Sequence, residues 1–214
     1  MIYFASDMHA ENRRALEEYE RIATEGDLLI ILGDLGIGFQ DTEENRAFDG
    51  YFLSLRANIA FIDGNHENHP LINSYPRERW CGGEVHRLSP NIVHLMRGNV
   101  YDIVGESFFV MGGCKSSPKW KEMGLWYEGE EPSEEEISLA YQRLRERGGS
   151  VDYVLTHKYE DGDLSSASPT SLDGLIHYLK TEVSYKAWIS GHWHEYIEFD
   201  NKCLCVYDEL IKKP

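Results

Sequence analysis

Positive charge is scarce in this 214-residue chain: 21 Lys and Arg face 37 Asp and Glu, a formal net charge of −16 at pH 7. A surface of that sign repels phosphate backbones, and no basic stripe of the kind nucleic-acid binders carry is visible. Phosphate chemistry survives this exclusion only if bound cations reverse the sign locally. Long apolar runs are missing as well, since no stretch approaches the roughly 20 residues a membrane span needs. Ile2-Tyr3-Phe4-Ala5 is interrupted by Asp7 before it can form the core of a signal peptide. Cysteine is sparse, and Cys81, Cys114, Cys203 and Cys205 include no C-x-x-C pair. That argues against a zinc knot. Cys203 and Cys205 lie two apart in an apolar, strand-like segment and so share one face. Free buried thiols in a reducing cytoplasm are the expectation. Internal repeats and low-complexity linkers are also missing, so residues 1–214 read as one domain.

What recurs instead is a short apolar run ending in a small residue and then a metal-capable side chain. Ile2-Tyr3-Phe4-Ala5-Ser6 leads into Asp7, and Leu28 to Gly33 into Asp34. Ile59 to Gly64 leads into Asn65 and His66, Val151 to Thr156 into His157, and Ala187 to Gly191 into His192. Several of these runs are apolar at nearly every position, as strands covered on both faces must be. Helical patterns separate them at Asn12 to Glu25, stopped by Gly26, and at Glu43 to Arg56. Ser133-Glu134-Glu135-Glu136 reads as a capping box opening a third helix, with Arg143, Arg145 and Arg147 in its last turn and Gly148-Gly149 ending it. Tyr196 to Phe199 and Cys203 to Tyr207 flank a hairpin signal at Asp200-Asn201-Lys202. Pro70 to Asn99 is rich in Arg, Gly and Pro and reads as irregular, with strand pieces at Glu84 to Leu88 and Ile92 to Met96. Gly113 to Pro132 breaks the rhythm again, and a substrate-side wall or lid is expected around residues 113–135.

Each fragment is weak alone. Asp7-Met8-His9 occurs by chance, Gly33-Asp34 is a turn dipeptide, and an isolated His157 would ordinarily be a hydrogen-bonded core histidine. Gly64-Asn65-His66-Glu67 and Gly191-His192-Trp193-His194 are more specific, and the ordered set is more specific than any member. In that order the five blocks resemble the calcineurin-like metallophosphoesterase superfamily, across residues 7 to 194. The resemblance implies an α/β fold of four αββα layers, a central mixed β-sandwich flanked by helices, with a metal site at the strand ends. It implies that Asp7, His9 and His194 bind one metal ion, that Asn65, His157 and His192 bind a second, and that Asp34 bridges them. It further implies that His66 faces the substrate. His69, three residues beyond, is expected to reach substrate too.

Carboxylate and imidazole ligands suit manganese first, with iron or zinc as alternatives, better than an oxygen-lined calcium site. Two such divalent or trivalent ions clamp a phosphoryl group and carry a bridging hydroxide for in-line attack. His66 then serves as general acid to the leaving oxygen. The expected partner is a small phosphate ester, monoester or diester, nucleotide-derived esters among them, rather than nucleic acid or a membrane. Departures from the Ser/Thr phosphatase branch point the same way. Asp34 is followed by Leu35-Gly36-Ile37-Gly38, where that branch continues with a further Asp and an Arg. Asp63 precedes Gly64 where that branch has Arg, and Arg97-Gly98-Asn99 lacks the His that would make it the branch's motif. A nuclease of the same superfamily and a non-catalytic scaffold are the rival readings. The scaffold is disfavoured because all eight motif positions are present. Trp120, Trp126 and Tyr127 are read as loop packing, Trp193 as packing against the site, and His86, His94 and His177 as structural or surface residues.

Overall fold

Strands that are apolar on both faces need cover on both, and the chain supplies it by stacking two sheets. The computed structural model describes residues 1–160 and 170–214. Its first half runs β1 (Ile2–Ala5), α1 (Arg14–Ile22), β2 (Leu28–Leu32), α2 (Glu43–Ser54), β3 (Ile59–Ile62), α3 (His69–Ser74), β4 (Arg77–Trp80), β5 (Gly83–Ser89) and β6 (Ile92–Leu95). Its second half runs β7 (Val100–Ile103), β8 (Glu106–Met111), α4 (Pro118–Glu122), α5 (Glu134–Glu146), β9 (Tyr153–Thr156), α6 (Ser171–Glu182), β10 (Ala187–Ser190), β11 (Ile197–Glu198), β12 (Cys203–Cys205) and β13 (Ile211–Lys212).

One sheet has the order β13-β1-β2-β3-β6-β5-β4 and the other β11-β12-β10-β9-β8-β7. Each has a parallel centre, β1-β2-β3-β6 in the first and β12-β10-β9-β8 in the second, with antiparallel strands at its edges. Alternate residues of the central strands meet between the sheets, where Phe4, Ile30, Ile62, Phe108, Leu155 and Ile189 form one apolar cluster. The intervening residues face outward. Leu29, Ile31 and Phe61 pack against Leu16 and Tyr19 of α1 and Phe48 and Phe52 of α2. Phe109, Val154 and Trp188 pack against Ile137 and Leu144 of α5 and Leu175 and Leu179 of α6. Helix, sheet, sheet, helix: the mixed αββα architecture is the one expected.

Details differ for local reasons. Helix α1 spans Arg14–Ile22 rather than Asn12 to Glu25. Beyond Ile22 the Thr24 amide and hydroxyl both donate to Asp27 Oδ2, and this turn releases the chain early. The segment from Pro70 to Asn99 is more regular than expected: the strand pieces at Glu84 to Leu88 and Ile92 to Met96 are β5 and β6, and β4 joins them in an antiparallel meander. Its β4–β5 turn is Cys81-Gly82, both with positive φ (48° and 89°), as a two-residue primed turn requires. The β7–β8 turn, Val104-Gly105, has the same form with φ of 52° and 81°. The capping box at Ser133 and Glu136 forms as expected, and a second one, Thr170 with Asp173, opens α6. The hairpin at Asp200 forms too, its carboxylate accepting from the Lys202 and Cys203 amides. All four cysteines are free, although Cys81 is only half-buried. No described helix is long and apolar enough to cross a membrane.

Candidate metal centre

Parallel strands deliver their C-terminal ends to one rim, so the loops after β1, β2, β3, β9 and β10 meet there. Asp7 and His9 follow β1, Asp34 follows β2, Asn65 and His66 follow β3, His157 follows β9, and His192 and His194 follow β10. Backbone bonds lock these loops together. The Asp7 amide donates to Gly33 O, the His9 amide to Asp34 O and the Gly191 amide to His157 O. Contacts are so close that a Cβ at Gly33 would strike the His157 ring and one at Gly64 would strike Asp34. Five of the residues sit in the left-handed region, namely Asp7 (φ 58°), His9 (50°), Asp34 (51°), His192 (81°) and His194 (53°). Non-glycine residues there cost on the order of 1–3 kcal/mol each, and such strain persists where surrounding structure imposes it.

The side chains gather into two groups. In the first, the ligand atoms of Asp7, His9, Asp34 and His194 all lie within 4.8 Å of one another. His9 Nε2 is 2.9 Å from His194 Nε2, and His194 Nε2 is 3.4 Å from Asp7 Oδ1. In the second, His157 Nε2 lies 3.2 Å from Asn65 Oδ1 and 3.3 Å from His192 Nδ1. Asp34 faces both: its Oδ2 is 3.7 Å from His9 Nε2 and its Oδ1 is 3.5 Å from His157 Nε2. The His157 Nδ1–H donates to Leu32 O at 2.8 Å, which leaves the Nε2 lone pair turned into the group. Asn65 is fixed likewise, its Nδ2 donating to Ser116 Oγ so that Oδ1 points inward.

Charges follow from this crowding. Burial alone would raise Asp7, but His194, His157, Ser6 and the His192 amide outweigh it and hold the carboxyl below its usual range. His157, fully buried, is nevertheless raised, because Asp34 and Asp7 more than offset its desolvation. His192 is driven down to about 4 by burial and by His157, and burial also lowers His9 and His66. Asp7 Oδ1 is buried with no hydrogen-bond partner. An orphaned carboxylate oxygen facing imidazole lone pairs is the donor set of a cation site, and these residues fit a pair of metal ions.

His66 stands beside the two groups without joining either. Its amide donates to Asp34 Oδ1 at 2.8 Å. Rings hold its imidazole, with Trp120 edge-on at 4.6 Å and Phe39 and His9 each at 5.3 Å. Trp120 therefore borders the site, whereas Tyr127 packs with its hydroxyl on Phe39 O and Trp126 lies under Lys121. A cavity of about 250 Å³ opens over Asp34, Asn65 and His66, walled by Lys115, Ser116, Ser117 and Trp120. Lys115 faces this cavity while Lys119 and Lys121 do not line it.

His69 does not join the others. Helix α3 begins at this residue, capped by Asn68, and the turn carries the imidazole inward, where Nδ1 lies 3.6 Å from Asp63 Oδ2. There it belongs to a buried cluster behind the β3 loop. Arg97 Nε donates to Asp63 Oδ2 at 2.8 Å, and His94 Nε2 lies 3.1 Å from Asp63 Oδ1. Burial would raise Asp63, but Arg97 and His94 hold it well below its usual range. Asp63, standing where the phosphatase branch has arginine, thus receives an arginine from behind. Trp193 differs from expectation as well. Lying between two inward-turned histidines, it points outward, 51% exposed, and its Nε1 donates to Glu160.

Two positions escaped the sequence. Glu67, fully buried, accepts from the Leu35 and Gly36 amides at 2.7 and 3.1 Å and so ties the Asp34 loop to the Asn65 loop. Its partners are backbone, which no motif records. Cys114, after β8, brings its sulfur within 3.0 Å of Asn65 Oδ1 and 3.7 Å of His192 Nδ1. Burial pushes that thiol well above its usual range.

The sequence profile of the calcineurin-like phosphoesterases matches residues 1–196. The chain belongs to that family. No curated protein sequence gives a match. Among solved structures, the phosphopantetheinyl hydrolase of Mycobacterium tuberculosis is similar at 15% identity and a TM-score of 0.39, covering 96% of this chain and 89% of that one. The calcineurin-like phosphoesterase YfkN of Bacillus subtilis is similar at 14% identity and a TM-score of 0.47, covering 95% of this chain and 80% of that one. A metal-dependent phosphoesterase is what membership in this family supports.

Proposed function

We propose that this phosphoesterase is dinuclear and hydrolyses a small phosphomonoester or phosphodiester. Asp7, His9 and His194 hold one divalent ion, Asn65, His157 and His192 hold the other, and Asp34 is shared. The observation that carries this reading is Asp34, whose two carboxylate oxygens face two separate donor groups. When bound, the ions supply Lewis acidity toward the phosphoryl oxygens and a water molecule of lowered pKa.

The chain's own residues do the rest. Glu67 keeps the Asp34 loop in place, and the Leu32 carbonyl fixes the His157 tautomer. His66, steadied by Trp120 and Phe39, stands over the cavity where a leaving oxygen would lie and gives it a proton. Burial lowers the imidazole when the cavity is empty. An anionic substrate alongside counteracts that and favours the charged form. Lys115 at the cavity wall offers a cation to the ester. The narrow volume of about 250 Å³ suits a small ester, and the charge of −16 opposes long nucleic acid.

The test is a panel of aryl phosphomonoester, aryl phosphodiester, cyclic nucleotides and dinucleoside polyphosphates, run on protein reconstituted with Mn²⁺ or Zn²⁺. Hydrolysis of at least one member, abolished by chelation, is expected. Fully metallated protein that turns over none of them would favour the scaffold reading.

A further inference from the structure

Beside the second donor group lies a sulfur that the family pattern does not require. We propose that Cys114 Sγ coordinates the ion held by Asn65, His157 and His192, making that position selective for zinc over manganese. The inference rests on the dinuclear reading above, and it sharpens which metals that site takes.

Four separate loops bring the donors together: Asn65 follows β3, Cys114 follows β8, and His157 and His192 follow β9 and β10. The ligand atoms of Cys114, His157 and His192 all lie within 4.8 Å of one another. Their spacing is informative. With Asp34 shared, that ion would have five protein donors, and Zn–N near 2.0–2.1 Å with Zn–S near 2.3 Å would set neighbouring donors of a five-coordinate ion roughly 2.9–3.8 Å apart. Here His157 Nε2 and His192 Nδ1 are 3.3 Å apart, and His192 Nδ1 and Cys114 Sγ are 3.7 Å apart. The sulfur therefore already stands at a coordination edge.

The buried thiols differ in what they face. Cys205 donates to Gly191 O at 3.0 Å and Cys203 meets the Tyr185 hydroxyl at 3.6 Å, whereas the partner of Cys114, Asn65 Oδ1 at 3.0 Å, is itself a donor of the cluster. Among the described residues, Cys114 alone of the four shares a donor cluster with two histidines. Its route to solvent is open, because Cys114 lines a cavity of about 500 Å³ with Lys115, Lys158, Glu160 and His192. On coordination the thiol proton leaves to solvent through that opening. A soft thiolate favours zinc, whereas carboxylate, the mark of the first group, is compatible with manganese. The centre is then asymmetric, with a harder ion beside Asp7 and a softer one beside Cys114.

Cobalt(II) reads this directly, because a cobalt–thiolate bond gives a near-ultraviolet charge-transfer band. Wild-type chain, Cys114→Ala and Cys114→Ser are each loaded with Co²⁺, their stoichiometry is measured, and Zn²⁺ is then competed against Mn²⁺. The expected result is two cobalt ions per chain in all three, with the band in wild type alone. Preference for Zn²⁺ over Mn²⁺ at one site should fall at least tenfold in both variants. Two bound cobalt ions with identical near-ultraviolet spectra in wild type and either variant would overturn the inference and leave the dinuclear reading standing. Wild type that binds no cobalt would overturn both. The serine variant keeps the side-chain volume, so one folded variant remains should alanine unsettle the buried loop.

Discussion

Asp63 is a carboxylate at a fully buried position, and a charge so placed needs partners of opposite sign. Arg97 supplies the charge and the His94 ring a hydrogen-bonding contact, across a cluster that also holds His69 and His86. Arg97→Met would leave the carboxylate without its guanidinium, and a loss of roughly 3–5 kcal/mol in urea unfolding is expected. The same cluster predicts a pH dependence. Burial drives His69 and His86 from 6.5 down to about 4. Between those values the unfolded chain binds more protons than the folded one, so stability falls as the pH drops from about 6.5 to about 4. The slope is at most about 1.4 kcal/mol per pH unit for each imidazole. Metal-free His86→Gln should lose less stability than wild type over that window, and parallel curves would count against the assignment. His66 is a different case, because it touches neither donor group as a ligand. His66→Asn should keep its metal and lower kcat by roughly 10²–10⁴-fold. Metal loss in that variant would mean that His66 had been misassigned.

At the scale of elements, what the sequence made legible was the order of strand-end blocks. A small residue followed by a polar one after an apolar run marks the exit of a parallel strand. Asp7, Asp34, Asn65, His157 and His192 each stand at such an exit, and the structure brings them together with His9 and His194. The capping box at Ser133 was legible because its two side chains satisfy local backbone groups. The strand pieces at β5 and β6 were legible, but β4 and the β7–β8 hairpin were hidden, because their turns do not use the usual Asn-Gly. Cys81-Gly82 before β5 and Val104-Gly105 before β8 put a cysteine and a β-branched valine in left-handed backbone instead. His69 was misread because spacing from His66 says nothing about where a helix begins. Cys114 is a buried free thiol as expected, but its place beside Asn65 and His192 was not legible because those neighbours are distant in sequence. The valine turn carries its own prediction. Val104 is 81% exposed, and Val104→Asn should relieve about 1 kcal/mol of strain, read as a higher urea midpoint with unchanged turnover.

For the whole molecule, two sheets with parallel centres aim their strand ends at one rim, which concentrates imidazoles and carboxylates where strained loops can hold them. An acidic chain gains a phosphate site in this way only if cations occupy it, and the dinuclear reading stands or falls on their number. The most direct measurement is metal content after equilibrium dialysis and removal of free ions, on wild type and Asp34→Asn side by side. Two ions per chain in wild type are expected, with occupancy lowered at both positions in Asp34→Asn because that carboxylate serves both donor groups. A single ion in wild type, or an Asp34→Asn variant that retains two at wild-type affinity, would contradict the account.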